Sequence, residues 1–94
     1  MAPLPQLTSR DRRALRVHVL RELDRMDEEL AAADAASGKS GLIEALRAER
    51  DEMRRTLDRL DDLAYGVCET CHAFIGIERL TALPTATRCI RCTS

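Results

Sequence analysis

Two cysteine pairs dominate what this chain can become. Cys68 and Cys71 are separated by two residues, Cys89 and Cys92 by two more, and seventeen residues lie between the pairs. Two residues between thiols allow a tight turn to aim both sulfurs at one point, and two such knuckles complete a tetrahedral set of four. Zn²⁺ takes soft thiolates in that geometry. The sequence therefore predicts one structural zinc held by Cys68, Cys71, Cys89 and Cys92. Four thiolates leave no open coordination position, which argues against a catalytic zinc. A redox dithiol would need a Cys-x-x-Cys heading a helix in a βαβ setting, and that pattern is missing. His72 directly follows Cys71, within reach of donating to a zinc-bound sulfur or standing in as a ligand, but with a full cysteine set it is expected in solvent. His18 is expected at the rim of a helix.

A metal is also what so small a segment needs. About thirty residues with one Phe bury too little apolar surface to offset their chain entropy, and metal binding supplies that free energy. Phe74, Ile75, Ile77, Leu80 and Leu83 are expected to cluster beside the ion. Ala-Leu-Pro-Thr at 82–85 should turn the chain back toward the second knuckle.

The preceding residues have a different period. Pro3 and Pro5 make residues 1–7 an extended lead-in. A helix should start near Thr8 or Ser9, since either hydroxyl can cap free amides and Asp11 suits a first turn. It should run to about Ala36, where SGKSG at 37–41 has the composition of a turn. A second helix is expected from about Leu42 to Ala64, stopped by Gly66.

Leu15, Val19, Leu23, Met26, Leu30 and Ala33 step by three or four along the first helix. Ile43, Leu46, Arg50, Met53, Leu57, Leu60 and Ala64 do so along the second. Folding at the turn matches Ala33 with Leu46, Met26 with Met53, Leu23 with Leu57, Val19 with Leu60 and Leu15 with Ala64. Arg50 faces Leu30 as the one polar interruption. This is the seam of an antiparallel two-stranded coiled coil, a rod of roughly 35–40 Å. The expected fold is thus mostly α: an antiparallel two-helix coiled-coil hairpin over 8–65, then a small four-cysteine zinc finger over 66–94. A monomer is expected in preference to a homodimer.

Charge separates along the rod. Arg10, Arg12, Arg13, Arg16 and Arg21 lie at one end, and Asp24, Asp27, Glu28, Glu29 and Asp34 lie toward the turn. Pairs such as Asp51 with Arg55 account for much of the rest. The formal net charge of −1 gives no bulk attraction for nucleic acid or anionic membranes. No run approaches a membrane span and no secretory leader is recognisable, so a cytoplasmic protein is expected.

The residues YGVCETC, IGIERLTALPTATRCIRC and the cysteine spacing, covering Tyr65 to Cys92, closely resemble the zinc finger of the DksA/TraR family. A coiled-coil hairpin ahead of the finger is that family's architecture as well. The resemblance implies a regulator, not an enzyme, that binds bacterial RNA polymerase, inserts its coiled-coil tip into the secondary channel, and reads no DNA sequence. The family's tip pattern, Asp-x-x-Asp-x-Ala, is matched here by Asp34 and Ala36, with Ala31 in place of the first Asp. The hairpin is shorter than in full-length members. Ala45, Glu52 and Thr93 stand where alarmone-responsive members carry basic residues, so alarmone sensitivity is not expected. The helix that the family places after the fourth cysteine is not expected here. A competing reading is a zinc-ribbon module, dimerised by its coiled coil, that binds nucleic acid or protein. Arg79, Arg88 and Arg91 near the finger would contact phosphate in that reading, or polymerase in the first. A thiol-based redox sensor is the third.

Overall fold

The computed structural model describes residues 6–36 and 40–93, with side chains given for all but 35, 36 and 40. Helix α1 spans Ser9–Ala36 and α2 spans Ser40–Arg59, with a short α3 at Ile77–Ala82. Much of the expected turn at 37–41 and the side chain of Ala36 lie outside the described residues, as does most of the 1–7 lead-in.

Helix α1 starts where the capping chemistry predicts. The Thr8 hydroxyl accepts from the Asp11 amide at 3.0 Å, and the Asp11 carboxylate accepts from the Thr8 amide at 3.0 Å. Two orphan donors are thereby satisfied reciprocally. The buried face of α1 is the expected stripe: Leu15, Val19, Leu23, Met26 and Leu30 are all buried. Val19, Leu23, Met26 and Met53 form one cluster with Leu57 at its margin, in keeping with the Met26–Met53 and Leu23–Leu57 matches, whereas Leu60, expected opposite Val19, packs with Leu15 in another cluster. The interruption at Arg50 resolves by pairing its charged end while the side chain stays largely covered. Its guanidinium lies 3.9 Å from Asp27 and 3.3 Å from Asp51, while Leu30 stays buried.

One surprise in the seam is Thr56, which is fully buried. Its hydroxyl donates to the Glu52 carbonyl one turn back at 3.0 Å, so the helix itself satisfies it. The expected Asp51–Arg55 pair does not form; Arg55 instead bonds Glu52 at 2.8 Å. Such exposed pairs contribute about 0–1 kcal/mol each, so the exchange changes little.

The C-terminal end of α2 departs from expectation. The helix stops at Arg59, not at Ala64, and Gly66 is not its terminator. Beyond Arg59 the amides reach back only three residues: Leu60 to Leu57, Asp62 to Arg59, Tyr65 to Asp62 and Val67 to Ala64. Arg12 of α1 supplies the reason. Its guanidinium donates to the carbonyls of Leu60 and Asp62, the latter at 3.1 Å, and so satisfies backbone groups that a longer helix would have paired. Arg16 bonds Asp61 at 2.7 Å from the same face. Ala64 is therefore exposed and does not meet Leu15.

Leu15 is buried elsewhere. It shares a second cluster with Leu7, Leu60, Tyr65, Cys68, Ile75, Leu80 and Cys89. The base of the hairpin and the cysteine segment thus have one continuous core, and the lead-in contributes Leu7 to it.

Candidate metal centre

The four cysteines converge. Their sulfurs all lie within 4.8 Å of one another, and the Cys71 and Cys89 sulfurs are 3.6 Å apart. A tetrahedron with Zn–S bonds near 2.3 Å has edges of about 3.8 Å, so small shifts of these side chains bring the donor set onto Zn²⁺. Cys68 and Cys89 are buried, Cys92 is half-buried and Cys71 is exposed. One side of the centre thus faces the core and the other faces solvent.

The first knuckle is a backbone device. Val67 and Phe74 bridge antiparallel, the Ile75 amide donates to the Gly66 carbonyl at 2.8 Å, and the Cys68 amide donates to the Ala73 carbonyl at 2.8 Å. Closing so tight a loop puts His72 at φ 63. That is the left-handed region, where His is among the more tolerated side chains. His72 is exposed, as expected, and its contribution is to the turn.

The second knuckle is tied to the first. The Glu69 amide donates to the Thr87 carbonyl at 2.9 Å, and Arg88 bonds the Glu69 carboxylate at 2.8 Å. Arg79 on α3 donates through Nε to the Arg88 carbonyl at 3.1 Å. Two of the three arginines singled out in the sequence therefore brace the finger, whereas Arg91 is exposed. After Cys92 the Thr93 hydroxyl reaches the carbonyls of Cys89 and Ile90 at 3.3 and 3.1 Å, which fastens the last turn.

The electrostatics suit a dication. Backbone amides of Cys71 and then Cys89 hold the Cys68 thiol down to about 6. The Cys92 thiol is pushed up to about 12, first by its hydrogen bond with Cys89 and then by burial. Burial opposes ionisation of Cys89, but its hydrogen bonds with Cys92 and Cys71 outweigh it and lower that thiol too. Cys68 and Cys89 thus ionise more readily than Cys92, where the cluster keeps its protons. Zinc displaces those protons on binding, so its affinity must fall as pH falls.

Around the centre, Ile75 and Leu80 are buried, and Phe74 and Ile77 pack against them as expected. Leu83 does not join; it is 48% exposed. The turn at 83–86 forms, closed by the Ala86 amide on the Leu83 carbonyl at 3.0 Å, and it points Leu83 outward. Tyr65 takes its place in the core. Its hydroxyl donates to the Pro84 carbonyl at 2.8 Å, and burial raises its pKa, so it remains a donor at neutral pH.

Gly66 holds this junction at φ +89, and a Cβ there would sit 3.1 Å from Leu7 Cδ1. Gly66→Ala is expected to cost about 1–2 kcal/mol from the backbone conformation alone. The crowding of Leu7 adds to that cost. A lowered thermal midpoint for the zinc-loaded protein would register it, and an unchanged midpoint would contradict this account of the junction.

Residues 64–93 match the model of the prokaryotic dksA/traR C4-type zinc finger. This segment belongs to the dksA/traR zinc-finger family. Its resident metal is accordingly one structural zinc on the four cysteines described above. Similarity extends beyond the dksA/traR finger. The RNA polymerase-binding transcription factor DksA of Escherichia coli is 34% identical over 91 residues, which cover 86% of this chain and 60% of that protein. The proteins of the same name from Haemophilus influenzae and Buchnera aphidicola are 47% identical over 47 residues and 44% identical over 41. These shorter matches cover 47% and 44% of this chain, and 32% and 27% of the respective relatives. The chain thus spans about three fifths of the length of the Escherichia coli relative.

Asp34, the candidate tip carboxylate, is exposed near the far end of α1, with Arg47 of α2 at 3.9 Å. It belongs to the hairpin and is remote in sequence from the metal ligands. No helix among the described residues is long and apolar enough to cross a membrane.

Proposed function

We propose that this protein regulates transcription by binding RNA polymerase, using the zinc finger and hairpin base as a rigid platform that projects the hairpin tip. The observation that carries this reading is the 34% identity to RNA polymerase-binding transcription factor DksA across 86% of the chain, hairpin and finger together. A likeness confined to the finger would support only a zinc module. The hairpin tip enters the secondary channel and Asp34 acts near the active centre, while Arg91 contacts the rim and Arg79 and Arg88 hold the finger surface beside it in shape. Ala36 is the second tip residue in this reading, by its place in the Asp-x-Ala pattern. The protein works in the cytoplasm and does no catalysis of its own. It meets polymerase as a single copy and reads no DNA sequence.

The nucleic-acid reading is weaker. Phosphate binding needs several cations free on one face, and Arg79 and Arg88 are already engaged within the finger.

Asp34→Asn separates docking from action at the tip. The variant is expected to bind core polymerase nearly as well as the parent and to lose the effect on promoter-complex lifetime. An unchanged lifetime effect would remove Asp34 from the mechanism.

A further inference from the structure

Apart from its buried stripe, α1 carries a second one facing solvent. Arg10, Arg13, Val17, Leu20, Asp24 and Asp27 follow one another at alternating steps of three and four, and all six are exposed. Such steps are those of heptad positions a and d on one helix face. Among the described residues Val17 and Leu20 remain 48% and 45% exposed.

The order of the six is self-complementary. Two arginines precede the apolar pair and two aspartates follow it. Laid antiparallel on its own copy, the stripe brings Val17 against Leu20, Arg13 against Asp24 and Arg10 against Asp27, and a two-fold axis repeats each contact. Antiparallel coiled coils set a positions opposite d positions, and every one of these pairs does so. Laid parallel, the same stripe would oppose arginine to arginine and aspartate to aspartate.

We propose that the outer face of α1 is a self-association surface whose occupant is the same face of a second copy, packed antiparallel about a two-fold axis. The interface is isologous, so it closes at a dimer and does not propagate into fibres. Two apolar side chains per copy are few, which makes the association weak and concentration-dependent. The flanking charges set its direction and make it sensitive to salt, because exposed pairs are screened. This surface is distinct from the seam between α1 and α2, which is consumed within one chain.

The inner charge pair gives the cleanest test, since Asp27 already lies 3.9 Å from Arg50 and Arg54 within its own hairpin. Sedimentation equilibrium of the zinc-loaded protein at low salt, up to about 1 mM, is expected to show a monomer–dimer equilibrium. R13E puts a glutamate opposite Asp24 at both ends of the axis, and D24R puts an arginine opposite Arg13. Each variant alone is expected to lose at least about tenfold in association constant. An equimolar mixture of the two is expected to regain it as a heterodimer, because both opposed pairs are then of unlike charge. Circular dichroism checks that each variant keeps its helicity, both positions being exposed. A parent protein that stays monomeric throughout this range would overturn the proposal. Variants that associate like the parent, or a mixture that associates no better than its components, would do so too.

Discussion

Removing the metal with a chelator is expected to release residues 64–93 from their fold while the distal hairpin stays helical. The finger has one short helix, and its core is a handful of side chains around the cysteines. Structural zinc contributes on the order of 10–16 kcal/mol to such small sites, far more than those contacts. The damage should not stop at the finger. Leu15 and Leu60, at the base of the hairpin, share the cluster that contains Cys68 and Cys89. Amide exchange is therefore expected to rise through the finger and around Leu15 and Leu60. Protection should persist near Leu23, Met26 and Met53, which pack in a separate cluster. Cys92→Ser should reproduce the pattern at saturating zinc. Slow exchange across the finger after chelation would show that packing, not metal, holds it.

Leu80→Ala is expected to be the most damaging single apolar truncation. Leu80 is fully buried on α3, and its Cδ1 lies 3.5 Å from where a Cβ on Gly66 would stand, at the junction of finger and hairpin. Large-to-small changes at such sites cost about 2–5 kcal/mol. A whole domain has only about 5–15 kcal/mol to lose. Because folding of the finger and metal binding are one equilibrium, the loss should appear both as a lower unfolding midpoint and as weaker zinc affinity. Leu83→Ala is the matched control, three residues on and 48% exposed, and should move neither quantity appreciably. Equal effects of the two substitutions would mean that the cluster around Leu80 is not what joins the two parts.

The contrast between Leu80 and Leu83 also marks where the sequence is and is not legible. Knuckle spacing is a local property, so four convergent thiols and their metal could be read directly from positions 68, 71, 89 and 92. The three–four stepping of apolar residues is likewise local, and the buried face of α1 follows it from Leu15 to Leu30. Features set by contacts distant in sequence were not legible. The end of α2 depends on a guanidinium nearly fifty residues earlier, Arg12 on the carbonyls of Leu60 and Asp62. Leu7 looks like part of a proline-bearing lead-in until the core that receives it is known. Tyr65 is buried through a bond to Pro84, while Leu83 is turned outward by the same bend. Thr56 hides in the seam because its own helix satisfies it, which no apolar pattern reports.

Arg79 and Arg88 carry a similar lesson for function. Near a zinc site, arginines invite a reading as ligand contacts, yet here they join α3 and the two knuckles to one another. Arg91, exposed, is the better candidate for meeting a partner.

The most direct measurement is equilibrium binding of the zinc-loaded protein to core RNA polymerase, repeated with excess duplex DNA and with the chelated protein. Saturable binding that DNA does not diminish, and that is lost with the metal, is the predicted result. Binding to the duplex with none to polymerase would contradict the account.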